Sequence, residues 1–369
     1  MERLKLGIVG CGNISEIYHK NLTTVFNDII EIEAVCDLIE DRYKLKMQNY
    51  GIKKGYNSAP KMLAECKLDL LLNITTPDNH AIVNMQALEA GVCPHVEKPF
   101  ALTREDGQKM LKLAADKGLL IGGAPDTYMG AGFQTCRQVI DSGEIGEIVG
   151  ATAFLMGRGH EGWHPDPEFY YKKGGGPMFD MGPYYLTALV SMIGPVKRVT
   201  GATRISFPER TITSQPKAGQ VIKVDVPTYV TGLMDFANGA IGTIITTFDV
   251  YRAQLPRIEI YGSKGTLYCP DPNGFGGPVT MYKAGDSEPT EVKLTHGFNT
   301  NSRGLGLADM AWALREGRKN RCDAKLAYHI LDIMTAFHDS SDTGKHVELQ
   351  STCERPAPLP AGIVHRFRS

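Results

Sequence analysis

The sequence predicts an α/β protein in two parts: a doubly wound parallel sheet over residues 1–125, then an α+β domain over 126–369 built on a large, mostly antiparallel sheet. Three observations carry this expectation. In the first third, short apolar runs alternate with stretches of helical period, the rhythm of βαβ units. After residue 125 strand signals follow one another directly, with turn pairs at Asn238-Gly239 and Lys264-Gly265. The length, 369 residues, exceeds what one hydrophobic core usually supports.

In the first part the apolar runs at 5–9, 30–36, 68–74, 95–96 and 119–122 read as strands, and 13–25, 39–50, 78–90 and 103–117 between them as helices. Thr103 offers an N-cap with the acidic Asp106 three positions later, and Gly118 stops the same helix. In the second part β-branched alternation marks strands at 148–156, 197–206, 220–236, 240–249, 257–262 and 265–269. Amphipathic segments at 303–317 and 322–341 read as helices, and the proline-rich stretch 356–360 as extended chain on the surface.

Composition sets limits on partners. Hydrophobic residues make up 42% and charged residues 22%, enough for a normal core. Formal net charge is -1 with no long like-charge run, which favours neither nucleic acid nor an anionic membrane surface and leaves a small ligand as the expected partner. The N-terminal apolar stretch is too short for a signal peptide, and no segment reaches the ~20 apolar residues of a membrane span. Eight cysteines stand singly at 11, 36, 66, 93, 136, 269, 322 and 353, a pattern expected of reduced thiols in the cytoplasm.

The first chemical motif is Gly10-Cys11-Gly12-Asn13-Ile14-Ser15, opening a helix straight after the first strand. Its glycines let the backbone approach a pyrophosphate, which then sits on the positive end of the helix. Ser15 occupies the position where glycine or alanine is usual. Asp37, at the end of the second strand, suits a ribose 2′-hydroxyl and repels a 2′-phosphate, so NAD is expected over NADP. Arg42 is the one nearby cation that could favour NADP, and its bland reading is a surface side chain. Strand, glycines, helix and acid in this order make a Rossmann dinucleotide site.

Two further motifs follow. Glu97-Lys98-Pro99 closes the fifth strand, where a lysine points toward the ligand crevice of a doubly wound sheet. Gly174-Gly175-Gly176 runs into an apolar helix on which Asp180 and Tyr184, four apart, share one face. Between the domains' motifs lies His160-Glu161-Gly162-Trp163-His164, which spells the H-E-x-x-H of zinc peptidases. Gly157, Gly159 and Gly162 with Pro165 and Pro167 deny it the helix that a zinc site of that kind needs, so no metal is expected.

These motifs together resemble the Gfo/Idh/MocA oxidoreductases: the glycine turn, Thr75-Thr76-Pro77-Asp78-Asn79-His80, Glu97-Lys98-Pro99, Gly174-Gly175-Gly176 with Asp180 and Gly182, and Gly262-Ser263-Lys264-Gly265. The resemblance implies a Rossmann domain followed by a domain whose open sheet mediates homodimers or homotetramers, and hydride transfer between a sugar, glycoside or cyclitol hydroxyl and a nicotinamide. It makes Lys98 the catalytic lysine and Asp180 its acidic partner, with Tyr184 where the family often has histidine. A free tyrosine titrates near ~10, and a lysine ammonium beside it favours phenolate, so the pair forms an acid-base unit. Gly10, Gly12, Asn13, Ile14, Asp37, Arg42, Thr75, Thr76, Pro77, His80, Glu97 and Lys98 are the expected cofactor residues. The loop carrying His160, Trp163, His164 and Tyr170 is expected to border a carbohydrate, with Asp126 and Tyr128 as further pocket candidates. Alternatives are an NAD-dependent glycosidase working by transient oxidation and elimination, an NAD-sensing protein without catalysis, and a zinc hydrolase.

Overall fold

The first strand, β1 (Leu4–Val9), is buried from Leu6 to Val9 and pairs in parallel with β2 (Ile30–Cys36) on one side and β4 (Leu70–Asn73) on the other. The computed structural model describes residues 2–361. With β3 (Lys54–Tyr56), β5 (Cys93–Val96) and β6 (Gly122–Gly123), these strands form a six-stranded sheet in the order β3-β2-β1-β4-β5-β6. Helices α1 (Ser15–Thr24), α2 (Glu40–Tyr50), α3 (Ala59–Glu65), α4 (His80–Glu89) and α5 (Arg104–Lys117) make the crossovers. The Leu70, Leu71 and Leu72 run of β4 is fully buried, as a central parallel strand covered on both faces must be. Thr103 caps α5 by accepting the Asp106 amide at 3.1 Å, and Gly118 ends it at φ 64°. The sheet order reverses between β1 and β4, which puts the ligand crevice at their C-terminal ends.

The second sheet has nine strands. After α6 (Ala131–Asp141) and β7 (Ile148–Met156) the chain forms the short α7 (Gly176–Asp180) and α8 (Gly182–Ile193). Then come β8 (Val196–Arg204), β9 (Glu209–Thr211), β10 (Val221–Lys223), β11 (Tyr229–Phe236), β12 (Ile241–Thr247), β13 (Ile258–Gly262), β14 (Gly265–Cys269), β15 (Thr280–Lys283) and β16 (Thr290–Glu291). Helices α9 (Leu305–Glu316) and α10 (Ala324–Thr343) precede β17 (Val347–Glu348). The order is β16-β15-β14-β13-β7-β12-β11-β8-β17, antiparallel except where β7 lies parallel to β12. β9 and β10 pair apart as a two-stranded ribbon. No helix among the described residues is long and apolar enough to cross a membrane.

The chain forms two compact units: the first takes residues 1–130 together with 296–328 and the segment from 356, and the second takes 131–295 and 329–355. Two expectations change. The expected strand at 220–236 is two: β10 belongs to the ribbon with β9 and β11 to the large sheet, and the chain crosses between them at 224–228, around Pro227, which has no amide to give to a ladder. The 356–360 segment is anchored to its own unit: Arg321 donates to the Ala357 and Pro358 carbonyls, and Leu359 is buried.

Candidate active site

In the first unit the glycine turn connects β1 to α1. Gly10 has φ 103°, and a Cβ there would stand 2.5 Å from the Ile74 carbonyl oxygen, so glycine is required twice over. A Cβ on Gly12 would meet nothing within 4 Å. That open cradle fronts an α1 N-terminus with no side-chain cap, whose free amides suit an anion. Ser15 is buried and donates from Oγ to the Gly12 carbonyl at 2.6 Å, closing the turn where glycine would leave it loose.

Asp37 is anchored by two backbone amides: Cys11 N donates at 2.7 Å and Ile39 N at 2.8 Å. Both fix the carboxylate beside the glycine turn. Leu38 and Ile39 after it are exposed, and Arg42 is an exposed residue in the first turn of α2. The residues present therefore fit a dinucleotide: a backbone cradle for phosphate, a carboxylate for a ribose diol, and an apolar shelf for a base.

The ends of β4 and β5 are tied together by groups that the motif reading assigned to direct contact. His80 is buried, with Nδ1 2.7 Å from the Pro99 carbonyl oxygen and Nε2 3.1 Å from that of Thr75. Burial lowers its pKa and the two carbonyls oppose that. These two contacts tie the Thr75 loop to the chain after Lys98. Glu97 is buried as well, and it accepts from Tyr18 Oη at 2.6 Å and from the Lys98 amide at 2.9 Å. Beneath them, Asn73 donates to the His80 carbonyl and to Asn84 Oδ1, each at 2.9 Å, and accepts the Thr75 hydroxyl at 2.7 Å. Lys98, half-buried and preceding a cis proline, leaves this frame at the crevice end of β5; Thr75, Thr76 and Pro77 line the β4 end, and Asn13 and Ile14 the turn into α1.

Asp126 and Tyr128 are both buried. Asp126, 1% exposed, accepts the Gly304 and Gly306 amides at 2.9 and 3.0 Å and so caps α9. Burial pushes its pKa up to about 6, against those amides. Tyr128 is buried with Cys322 Sγ 3.6 Å from its hydroxyl.

In the second unit Asp180 ends α7, Met181 breaks the helix at φ -112°, and Tyr184 is buried in the first turn of α8. The two residues belong to two short helices and not to one continuous face. A side chain from another segment meets Asp180: His160 Nε2 lies 3.3 Å from Asp180 Oδ2. The His160 ring stacks flat on Tyr170 with centroids 3.7 Å apart, and the edge of Phe248 closes on it at 4.8 Å. Gly175 has to be glycine, since a Cβ there would be 2.6 Å from the carbonyl oxygens of Phe169 and Tyr170.

The glutamate of His160-Glu161-Gly162-Trp163-His164 turns inward. Glu161 accepts from the buried Arg210 at 2.7 Å and from the Tyr171 hydroxyl, and Arg210 also pairs with Asp249. Only one turn forms, with His164 N donating to the His160 carbonyl at 3.0 Å. His164 Nδ1 accepts from the Asp166 amide at 3.0 Å. The three side chains diverge, and among the described residues no three His, Cys, Asp or Glu groups converge on a metal position. Arg210, Asp249, Phe248, Asn73 and Tyr18 were not singled out from sequence; Phe169 adjoins the aromatic residues that were.

Comparisons agree with this geometry. Residues 4–123 match the family described as oxidoreductase family, NAD-binding Rossmann fold, and residues 133–268 match the GFO/IDH/MocA C-terminal domain. The chain is 26% identical to D-glucoside 3-dehydrogenase of Escherichia coli K12, over 94% of this chain and 97% of that protein. It is 22% identical to myo-inositol 2-dehydrogenase of Thermotoga maritima, over 72% of this chain and 75% of that one. Levoglucosan dehydrogenase in complex with NADH superposes with a TM-score of 0.81 at 17% identity, over 95% of this chain and all of that one, 100%. The chain belongs to the Gfo/Idh/MocA family and is an NAD-binding oxidoreductase.

Proposed function

We propose that the protein transfers hydride between nicotinamide and a ring hydroxyl of a sugar, glycoside or cyclitol, with C3 of a glucoside as the first position to examine. The observation that carries this reading is the Asp180 carboxylate held 3.3 Å from His160 within a cluster of aromatic rings, a mixture suited to a polyol with apolar C–H faces. The relatives that act on a glucoside and on an inositol support the same class.

Bound nicotinamide supplies the hydride acceptor. On this chain's side, Tyr184 takes the hydroxyl proton as the C–O bond becomes a carbonyl, and Lys98 donates a hydrogen bond to the same oxygen. In reduction both groups reverse: Lys98 polarises the carbonyl and Tyr184 returns the proton. Asp180 and His160 orient the neighbouring hydroxyls. Gly10, Gly12 and Asp37 bind the dinucleotide, and the Asn73, His80 and Glu97 frame keeps Lys98 in place. Two wider proposals accompany this. Leu233 and Ile241, exposed on the open face of the second sheet, support a homodimer or homotetramer formed through it. Eight free thiols support a reducing, cytoplasmic setting.

The test is incubation with NAD and a panel of inositols, free sugars and glucosides, following NADH absorbance and product mass. Net NADH with a product two mass units lighter is expected for at least one compound. Aglycone release without net NADH would replace the dehydrogenase reading with a glycosidase.

A further inference from the structure

Trp163 is 64% exposed and Phe169 is 50% exposed, a large apolar area for one loop to give to water. These rings form a contiguous array. His164 stands between them, edge-on to Trp163 with centroids 5.4 Å apart, to Phe169 at 5.6 Å and to Tyr170 at 5.3 Å. Phe169 and Tyr170 lie 4.0 Å apart. The loop is bolted to the segment after β9. Lys217 bridges Asp166 at 2.5 Å and Glu168 at 2.6 Å, the amides of Thr213 and Ser214 donate to the Glu161 carbonyl, and Glu161 itself is locked to Arg210. A surface so fixed loses little entropy when something lands on it.

The shelf also continues into the proposed site. The Trp163 ring is 5.3 Å from that of His160, and His160 meets Asp180 at 3.3 Å, so one side chain separates the exposed indole from the carboxylate. The charges on its rim, Asp166, Glu168 and Lys217, pair with one another, two carboxylates against one ammonium. An uncharged occupant with a flat or C–H-rich face fits this better than a phosphorylated one.

We infer that Trp163, His164 and Phe169 form an outer subsite for the aglycone or second ring of a neutral glycoside, whose inner ring is oxidised beside Asp180 and His160. The substrate is then a two-part molecule, and a free monosaccharide or cyclitol fills only the inner half. This rests on the hydride-transfer reading above, and the experiment separates the two.

Oxidation of methyl and phenyl glucosides and of cellobiose is compared in the parent, Trp163→Ala and Phe169→Ala. The phenyl-to-methyl ratio of kcat/KM is expected to fall about tenfold in Trp163→Ala and about threefold in Phe169→Ala, the scale of one lost ring stack. An unchanged ratio overturns the subsite, whether activity falls equally on both compounds or on neither. So does a change in oligomeric state without a change in ratio, which would assign the shelf to a second copy of the chain. If the parent oxidises no sugar at all, the hydride-transfer reading fails, and the subsite is judged by fluorescence. The chain has 2 tryptophans, so in Trp312→Phe the indole of Trp163 reports alone. Saturable quenching by phenyl glucoside supports the subsite and its absence overturns it.

Discussion

Two alanine substitutions two residues apart should fail in opposite ways. At Gly10 the backbone sits at φ 103° and a Cβ would stand 2.5 Å from the Ile74 carbonyl oxygen. Forcing an L-residue to positive φ costs about 1–2 kcal/mol. Displacing packed backbone costs about 1–3 kcal/mol more. Gly10→Ala should therefore unfold several degrees below the parent even without ligand. At Gly12 a Cβ meets nothing within 4 Å, so Gly12→Ala should be as stable as the parent or slightly more, through its stiffer unfolded chain. Its methyl group does occupy the space a pyrophosphate needs. The assay is thermal unfolding with and without NAD. At NAD 100-fold above its Kd the parent gains about 2.7 kcal/mol, on the order of 5–10 °C. Gly12→Ala should lose most of that shift while keeping the ligand-free midpoint. A full NAD shift in Gly12→Ala would refute the cradle, and an undisturbed ligand-free Gly10→Ala would refute the packing argument.

Other outcomes follow from the same coordinates. Asp37→Ser should weaken NAD about tenfold and narrow the preference over NADP, because the carboxylate that repels a 2′-phosphate is gone; titration of both dinucleotides checks it. Asp126 has its folded pKa raised by burial from 3.8 to about 6. Its contribution is therefore present below pH 3.8 and lost as pH rises through about 6, a span of about 3 kcal/mol. Asp126→Asn keeps an oxygen for the Gly304 and Gly306 amides and should gain stability over the parent as pH goes from 4 to 7; a constant difference in denaturant midpoints would contradict this. Glu161→Ala strips one carboxylate from buried Arg210 and should cost about 3 kcal/mol in urea unfolding, while dialysis against a chelator leaves the parent's midpoint unchanged.

How far the sequence reached can be judged at particular residues. Burial on both faces leaves a near-continuous apolar run, so β4 was legible from its leucines and β1 and β2 from the buried ends Leu6–Val9 and Ala34–Cys36, and the glycine turn from its place between strand and helix. β3 was not, being three residues long with Gly55 at its centre, a glycine forced by the Tyr43 and Met47 side chains packed against it. α6 escaped because its apolar positions, Phe133, Cys136, Val139 and Ile140, lie where the text turns from helix-alternating to strand-rich. The glycine turn and Asp37 were legible because the geometry that sets them is local backbone. Support from distant residues was not: Tyr18 reaches Glu97 from 79 residues away, and Arg210 reaches Glu161 from 49. Asp180 was singled out together with Tyr184 four positions on, but nothing in the sequence hinted that the His160 imidazole would lie against its carboxylate. The H-E-x-x-H letters gave no hint that their glutamate is a buried ion-pair anchor.

The central claim is that Lys98 and Tyr184 handle the proton of a carbohydrate hydroxyl while hydride passes to NAD. It is tested most directly by measuring NADH formation and NAD affinity together in the parent, Lys98→Ala and Tyr184→Phe on the best glucoside or inositol found. Both variants should bind NAD within about threefold of the parent and lose on the order of 100-fold or more in kcat. Full turnover in either variant, or a parent that reduces no NAD with any sugar, glycoside or cyclitol, would contradict the account.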